Sequence, residues 1–350
     1  MTNLIDLDQF RYVPALRTRM WEMRGYAELP EADKGLFLPV FSLCRYNQTR
    51  DVTGVAVKLQ EAVAGRPFIL DLEQSAELGC GDAARLLDPA NAFGAWRAFA
   101  AAQPYALPAV LTPRGAPLRE VVRQALAMER SFGRVVIRSR DFAADSRAML
   151  AILGAVEDIA NVMIILDFMY VRGRWQACAL DAAEAINQLR TVDPSVRIVV
   201  MGSSYPRSAA TYDDAGTVLQ IEERLLHRQI GGDEAAIYGD HAAIFPEPFE
   251  PMPSRFVPRI DFPLPDAWVF RRVREDRGGF IECARRITDL DDWDPELEDQ
   301  VWGARKIAAA ARGDVDRMQA PAPWIAVRVN LHLWRQLRYA VGVAEDGLED

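Results

Sequence analysis

Residues 135–167 read VVIRSRDFAADSRAMLAILGAVEDIANVMIILD, and the fold is decided in this stretch. It opens on the β-branched run Val135–Ile137, closed by Arg138, and ends on Val162–Leu166, closed by Asp167. Between the runs Met149, Ile152, Leu153, Val156 and Ile159 recur at helical spacing, which predicts a helix over 144–159 with one apolar stripe. Apolar runs without strict alternation are those of strands covered on both faces. Strand, crossover helix and strand together make one βαβ unit.

Working outward, the same run-then-helix pattern occurs eight times. The other runs are Tyr12–Leu16 before Arg17, Leu36–Leu43, Phe68–Leu70 before Asp71, Leu107–Leu111, Ile198–Met201 before Gly202, and Ala235–Tyr238 before Asp240. Eight such units fit a closed parallel (β/α)8 TIM-like barrel, an α/β fold that keeps its chemistry at the C-terminal ends of its strands. Leu118, Val121, Val122, Ala125 and Met128 supply another helical stripe, and Val218, Ile221 and Leu225 continue the pattern. Residues 73–90, with Gly79-Cys80-Gly81-Asp82, read as a loop insertion over the barrel mouth, followed by a helix over 91–102.

The 350 residues exceed the roughly 250 of a bare barrel, leaving an appendage of about 100. The boundary falls where Pro246, Pro248, Pro251, Pro253, Pro258, Pro263 and Pro265 rule out helix. The barrel is therefore placed at 10–245 and a C-terminal α+β extension at 246–350. Within the extension, Arg255–Phe262 and Ala267–Val273 read as an antiparallel pair. Asp294-Pro295 starts a helix that runs to about Arg312, and a last element over 323–341 packs Trp324, Leu331, Trp334 and Leu337.

The net charge of −9 argues against a nucleic-acid partner bound by counterion release. The four cysteines form no Cys-x-x-Cys pair and read as free thiols. No signal peptide or uncharged apolar span is evident, so a soluble, cytoplasmic protein is expected, without a membrane partner.

Parity selects the candidate site, because alternate side chains of a barrel strand point inward. Arg17 shares parity with Val13 and Ala15, Asp71 with Ile69, Arg138 with Val136, and Asp167 with Ile165. Arg19, Glu73 and Arg140 follow two residues later in the same parity. Arginine forks bind phosphate or carboxylate, while a carboxylate can act as base or hold Mg²⁺. The Ser203-Ser204 turn adds donors where barrels often bind phosphate, and Asp240 and His241 end the eighth run, His241 as a base or a loop cap.

Arg17, Arg19, Glu73, Arg138, Arg140, Ser203 and Ser204 are therefore candidate ligand contacts, and Asp71, Asp167, Asp240 and His241 candidate catalytic groups. The alternative for Arg138 with Asp71 or Asp167 is an ion-pair lattice closing the barrel top. Glu22, Glu222 and Glu223 read as solvated helix faces.

The three histidines form no ligand pair, so a histidine metal site is set aside. A Mg²⁺ site from Asp71, Glu73, Asp167 and Asp240 stays open. Gly-x-Ser-x-Gly, P-loop and Gly-x-Gly-x-x-Gly motifs are missing, and no lysine ends a run.

The ordered motifs also resemble the beta protein family, named after a T-even phage protein and encoded in bacteria as well. They are Tyr12-Val-Pro-Ala-Leu-Arg17-Thr-Arg19-Met-Trp-Glu22, Val135-Val-Ile-Arg138, Ile164-Ile-Leu-Asp167, Ser203-Ser204-Tyr205-Pro206, Tyr238-Gly239-Asp240-His241, Trp324…Arg328 and Asn330-Leu331-His332. Arg17 and Arg19 stand where lysine is usual in that family. The resemblance implies a phage–host setting and no established reaction.

Two functions are expected. One is a barrel binding a phosphate-bearing or other anionic small molecule, such as a nucleotide, at its mouth, with hydrolase or phosphodiesterase-type chemistry. The other is a non-catalytic interaction module or effector partner in phage–host conflict, working with a protein encoded nearby.

Overall fold

Successive Val, Ile and Leu residues leave a strand no polar face, so each run is paired at both edges and buried on both faces. In the computed structural model, which describes residues 5–75, 77–208, 216–248 and 256–342, the runs close into an all-parallel barrel. Its strands are β1 (Tyr12–Arg17), β2 (Val40–Leu43), β3 (Phe68–Leu72), β4 (Ala106–Val110), β5 (Val135–Ser139), β6 (Val162–Tyr170) and β7 (Arg197–Ser203). The chain then forms β8 (Thr217–Gln220), outside the barrel, and returns as β9 (Ile237–Asp240), which pairs with both β7 and β1.

Parity holds around the ring. Val13, Ala15, Val40, Ile69, Ala109, Val136, Ile165 and Val199 pack against one another inside, joined by Leu7 and Phe10 just ahead of β1. Their alternates, among them Leu16, Phe41, Leu70, Ile137, Ile164 and Val200, belong to the outer core under the helices. Helix Leu118–Phe132 buries Val121, Ala125 and Met128 as expected.

Helix Phe142–Leu153 is shorter than expected. It starts where Asp141 accepts from the Ala144 amide and stops at Gly154, so Val156 and Ile159 lie beyond it. The segment after β3 carries a 3-10 turn, Ala83–Leu86, before helix Ala90–Ala101.

The expected antiparallel pair is β10 (Arg259–Pro263) with β11 (Ala267–Arg272), Phe262 facing Val269; Pro251, Pro253 and Arg255 lie outside the described residues. β8 adds to β11 as a third antiparallel strand, Leu219 opposite Trp268. Val218 is therefore a strand residue, because a short apolar run does not separate helix from strand. The helix expected from Asp294 to Arg312 is two pieces, Leu297–Gln300 and Trp302–Ala311, broken by extended Val301. Helix Gly279–Thr288, which the sequence reading did not mark, precedes them.

The C-terminal helix Pro321–Val341 covers the seam where β9 meets β1. It lies against helix Met20–Ala27 and β1, and its His332 reaches Asp240 on β9. Gly25 permits the approach: a Cβ there would meet Val329 Cγ1 at 2.7 Å and the Ala326 carbonyl at 2.8 Å. Asn330 Nδ2 donates to the Gly25 carbonyl at 2.9 Å. Among the described residues no helix is long and apolar enough to cross a membrane.

Candidate functional site

Above the apolar interior, the next inward layer of the barrel is polar. Register pairs Arg17 with Ser42 and Ser42 with Asp71 across β1–β3, and Arg138 and Asp167 end the inward rows of β5 and β6. All four charged residues selected by parity thus face the barrel mouth.

Arg138 joins them. Its Nε and Nη2 donate to Asp167 Oδ2 at 3.0 and 2.7 Å, and its Nη1 donates to Asp71 Oδ2 and Ser42 Oγ, each at 2.9 Å. The Arg138 side chain is 4% exposed, a costly burial without both carboxylates. Arg140 is looser, with Nη2 3.5 Å from Asp71 Oδ2 and Nε 3.9 Å from Asp167 Oδ2.

Asp167 also bends the backbone. Its Oδ1 accepts from the Met169 amide at 2.9 Å, where the β6–β7 register shifts and Met169 takes φ +55°. A bulge and a left-handed methionine at the strand end turn the chain into the mouth wall.

The same Oδ1 lies 2.9 Å from His241 Nε2. Burial alone would raise the Asp167 carboxyl, but the His241 ring and the Arg138 guanidinium hold it well below the usual carboxylate range. With Nε2 directed at Asp167, His241 Nδ1 has no hydrogen-bond partner among the described residues.

His241 faces the mouth, and the turn that presents it is fixed from outside the barrel. Its neighbour Asp240 shares parity with Tyr238 and points outward, away from Asp71, Arg138 and Asp167. Asp240 accepts from Tyr12 Oη at 2.9 Å and from the Ala242 amide at 2.8 Å, and lies 2.9 Å from His332 Nε2. Burial raises its carboxyl, and His332 and these donors more than reverse that, leaving it below the usual range. Ala242 and Ala243 are both left-handed, so Asp240 fixes the tight turn directly after His241.

Arg17, Glu22, Glu73, Arg140, Met169 and His241 are among the residues lining a small open cleft over the Arg138 network, with about 20 Å³ of free space. Arg17 is anchored by Nη2 to the Phe245 carbonyl at 2.8 Å, with Nε 3.5 Å from Glu22. Glu73 caps the Ser75 amide. Arg19 is exposed at the start of helix Met20–Ala27 and does not line the cleft.

Ser203 and Ser204 brace loops instead. Ser203 Oγ donates to the Ile244 carbonyl at 2.9 Å, and Ser204 Oγ bonds to Glu223. Burial pushes the Glu223 carboxyl up to about 7 against the Ser204 donors.

The expectation of solvated glutamates therefore fails. Glu22 and Glu223 are buried, and Glu222 pairs with Arg172 at 3.3 Å. Sequence reasoning also missed Ser42, although its parity with Val40 on β2 signals it.

The carboxylate Mg²⁺ site is not assembled. The Arg138 guanidinium occupies the space between Asp71 and Asp167, and Asp240 is on the far face of β9. Among the described residues no three His, Cys, Asp or Glu side chains form a metal-holding group.

The C-terminal motif residues form a separate buried cluster. Arg328 Nη1 donates to Tyr205 Oη at 2.5 Å and to Asp261 Oδ2 at 2.7 Å, tying the last helix to β10 and the loop after β7.

The motifs that carried the family resemblance thus gather at the mouth, at the β9–β1 seam and at this outer cluster. Over 337 residues the chain is 36% identical to "Protein beta" of Enterobacteria phage P4, covering 95% of this chain and 94% of that protein. The relative is a phage protein, from P4 and not from a T-even phage. A family model described as Beta protein matches residues 12–338, and the chain belongs to the Beta protein family.

Proposed function

We propose that the barrel mouth binds a phosphate-bearing or other anionic small molecule and hydrolyses it, with His241 as general base. One observation carries this reading: His241 is held by a buried carboxylate while its Nδ1 is left unpartnered, in a cleft that Arg17 and Arg140 border. A base oriented by a carboxylate, next to arginine forks, suits attack of water on a phosphate ester. Nδ1 takes a proton from water as the water oxygen bonds to phosphorus, and the ester oxygen leaves with the bonding pair and is protonated by solvent, to which His241 then returns its proton. Arg138 is fully engaged by Asp71 and Asp167, so its part is to hold the dyad in place.

The test uses p-nitrophenyl phosphate and bis(p-nitrophenyl) phosphate as substrates, and inorganic phosphate as a binding probe. Wild type is expected to release p-nitrophenol, and His241→Gln to lose that release while still binding phosphate. Arg140→Ala is expected to weaken phosphate binding. Absence of both turnover and phosphate binding in wild type would sink the reading.

The second reading, a non-catalytic interaction module in phage–host conflict, draws on the phage P4 relative. Phosphate binding without turnover, together with co-purification of a protein encoded nearby, would favour it.

A further inference from the structure

Beside the mouth cleft lies a larger groove of about 360 Å³, bounded by the loop after β4, the start of helix Leu118–Phe132 and the start of helix Phe142–Leu153. The two cavities share Arg138 and Arg140 in their walls, so they meet across the end of β5. Aliphatic side chains, Val121 and Ala148 among them, form part of the groove, and its size matches that of pockets that hold whole small molecules.

Its charges are unevenly satisfied. Asp71 is taken by Arg138, Asp145 accepts from Ser139 Oγ at 2.8 Å, and Asp141 caps the Ala144 amide. Arg114 and Arg147, both exposed, have no hydrogen-bond or ion-pair partner among the described residues. Arg140, between the cavities, makes only the long contacts to Asp71 and Asp167 described above.

Free guanidinium groups at the far side of a groove whose carboxylates are already engaged select a second anionic group. Resting on the anion-binding reading of the mouth, we infer that the ligand is elongated and doubly anionic, of nucleotide size. One anionic group sits at Arg17 and Arg140 beside His241, and the other between Arg114 and Arg147, with the uncharged part over the aliphatic wall. The mouth cleft alone is too small for such a molecule, and the shared Arg140 wall makes the two cavities one bent site.

The experiment is isothermal titration of the full chain with inorganic phosphate and with adenosine 5′-triphosphate. The proteins are wild type, Arg17→Ala and the double variant Arg114→Ala/Arg147→Ala. The expected result is ATP binding at least tenfold tighter than phosphate in wild type. The double variant should lose that advantage while keeping its phosphate affinity, and Arg17→Ala should weaken both probes. An unchanged ATP affinity in the double variant, with phosphate still sensitive to Arg17, overturns the groove and leaves the mouth reading standing. Failure of phosphate to bind, or phosphate binding indifferent to Arg17, overturns the mouth reading and the inference with it, and failure of ATP alone overturns the groove. Both altered positions are exposed, and circular dichroism of the double variant should match wild type.

Discussion

Replacing Arg138 by methionine tests whether the mouth network is a desolvated charge lattice. Methionine is flexible and fills much of the same space, so the cavity contribution is small and the electrostatic one dominates. The change removes two donors to Asp167 and one each to Asp71 and Ser42, leaving two buried carboxylates without that cation. Breaking a buried ion pair from one side costs about 3–5 kcal/mol, against about 1 kcal/mol or less for an exposed pair.

The pH dependence follows from Asp167. In wild type its carboxyl lies below the usual range, so its stabilising contribution is full above the unfolded value of about 3.9 and is lost only as pH falls below it. Without Arg138 that carboxyl rises from its depressed range, His241 and Arg140 still opposing burial, so the variant's deficit narrows as pH falls and the carboxyl takes up a proton. Urea unfolding followed by tryptophan fluorescence should show the full loss at about pH 7 and a narrower gap at about pH 5. A loss below about 1 kcal/mol, or the same gap at both values, would refute a desolvated network.

Two further predictions address other parts of the chain. Glu223 is raised to about 7 from an unfolded 4.5, so the folded state holds the extra proton and stability declines as pH rises through that window, by about 3 kcal/mol in total. Glu223→Gln should flatten this decline in urea midpoints measured between about pH 5 and pH 8; an unaltered slope would assign it to another group. Gly25→Ala places a methyl within 2.8 Å of the Ala326 carbonyl and should cost about 1–3 kcal/mol in urea unfolding, and an unchanged midpoint would show that the two helices separate freely.

Much of the barrel was legible because a parallel strand buried on both faces must be apolar throughout, and its first polar residue then marks the strand end. Arg17, Asp71, Arg138 and Asp167 could be placed together by counting in twos from Val13, Ile69, Val136 and Ile165. Asp240 escaped because β9 is short and its neighbours are ambiguous: small Gly239 faces in and bulky Tyr238 faces out, which sends Asp240 outward and His241 inward. Glu22 and Glu223 sit on helices, where a carboxylate ordinarily meets water, and only the tertiary approach of Arg17 and Ser204 accounts for their burial. The helix start after Val301, where Asn330 Oδ1 accepts from the Gly303 amide, and the recruitment of β8 by β11 involve likewise contacts between segments remote in sequence.

The helix over the β9–β1 seam has a consequence for how the protein is made. Asn330 and the Gly25 carbonyl are 305 residues apart, and His332 is 92 residues from Asp240. On a ribosome, every barrel strand emerges before this helix does, so the nascent barrel has all its strands while the outer side of β1 and the Asp240 carboxylate lack their cover. Closing so long a loop is entropically slow, and the waiting species exposes apolar surface. The covering of Asp240 and of the outer side of β1 is therefore a late event set by the arrival of Pro321–Val341.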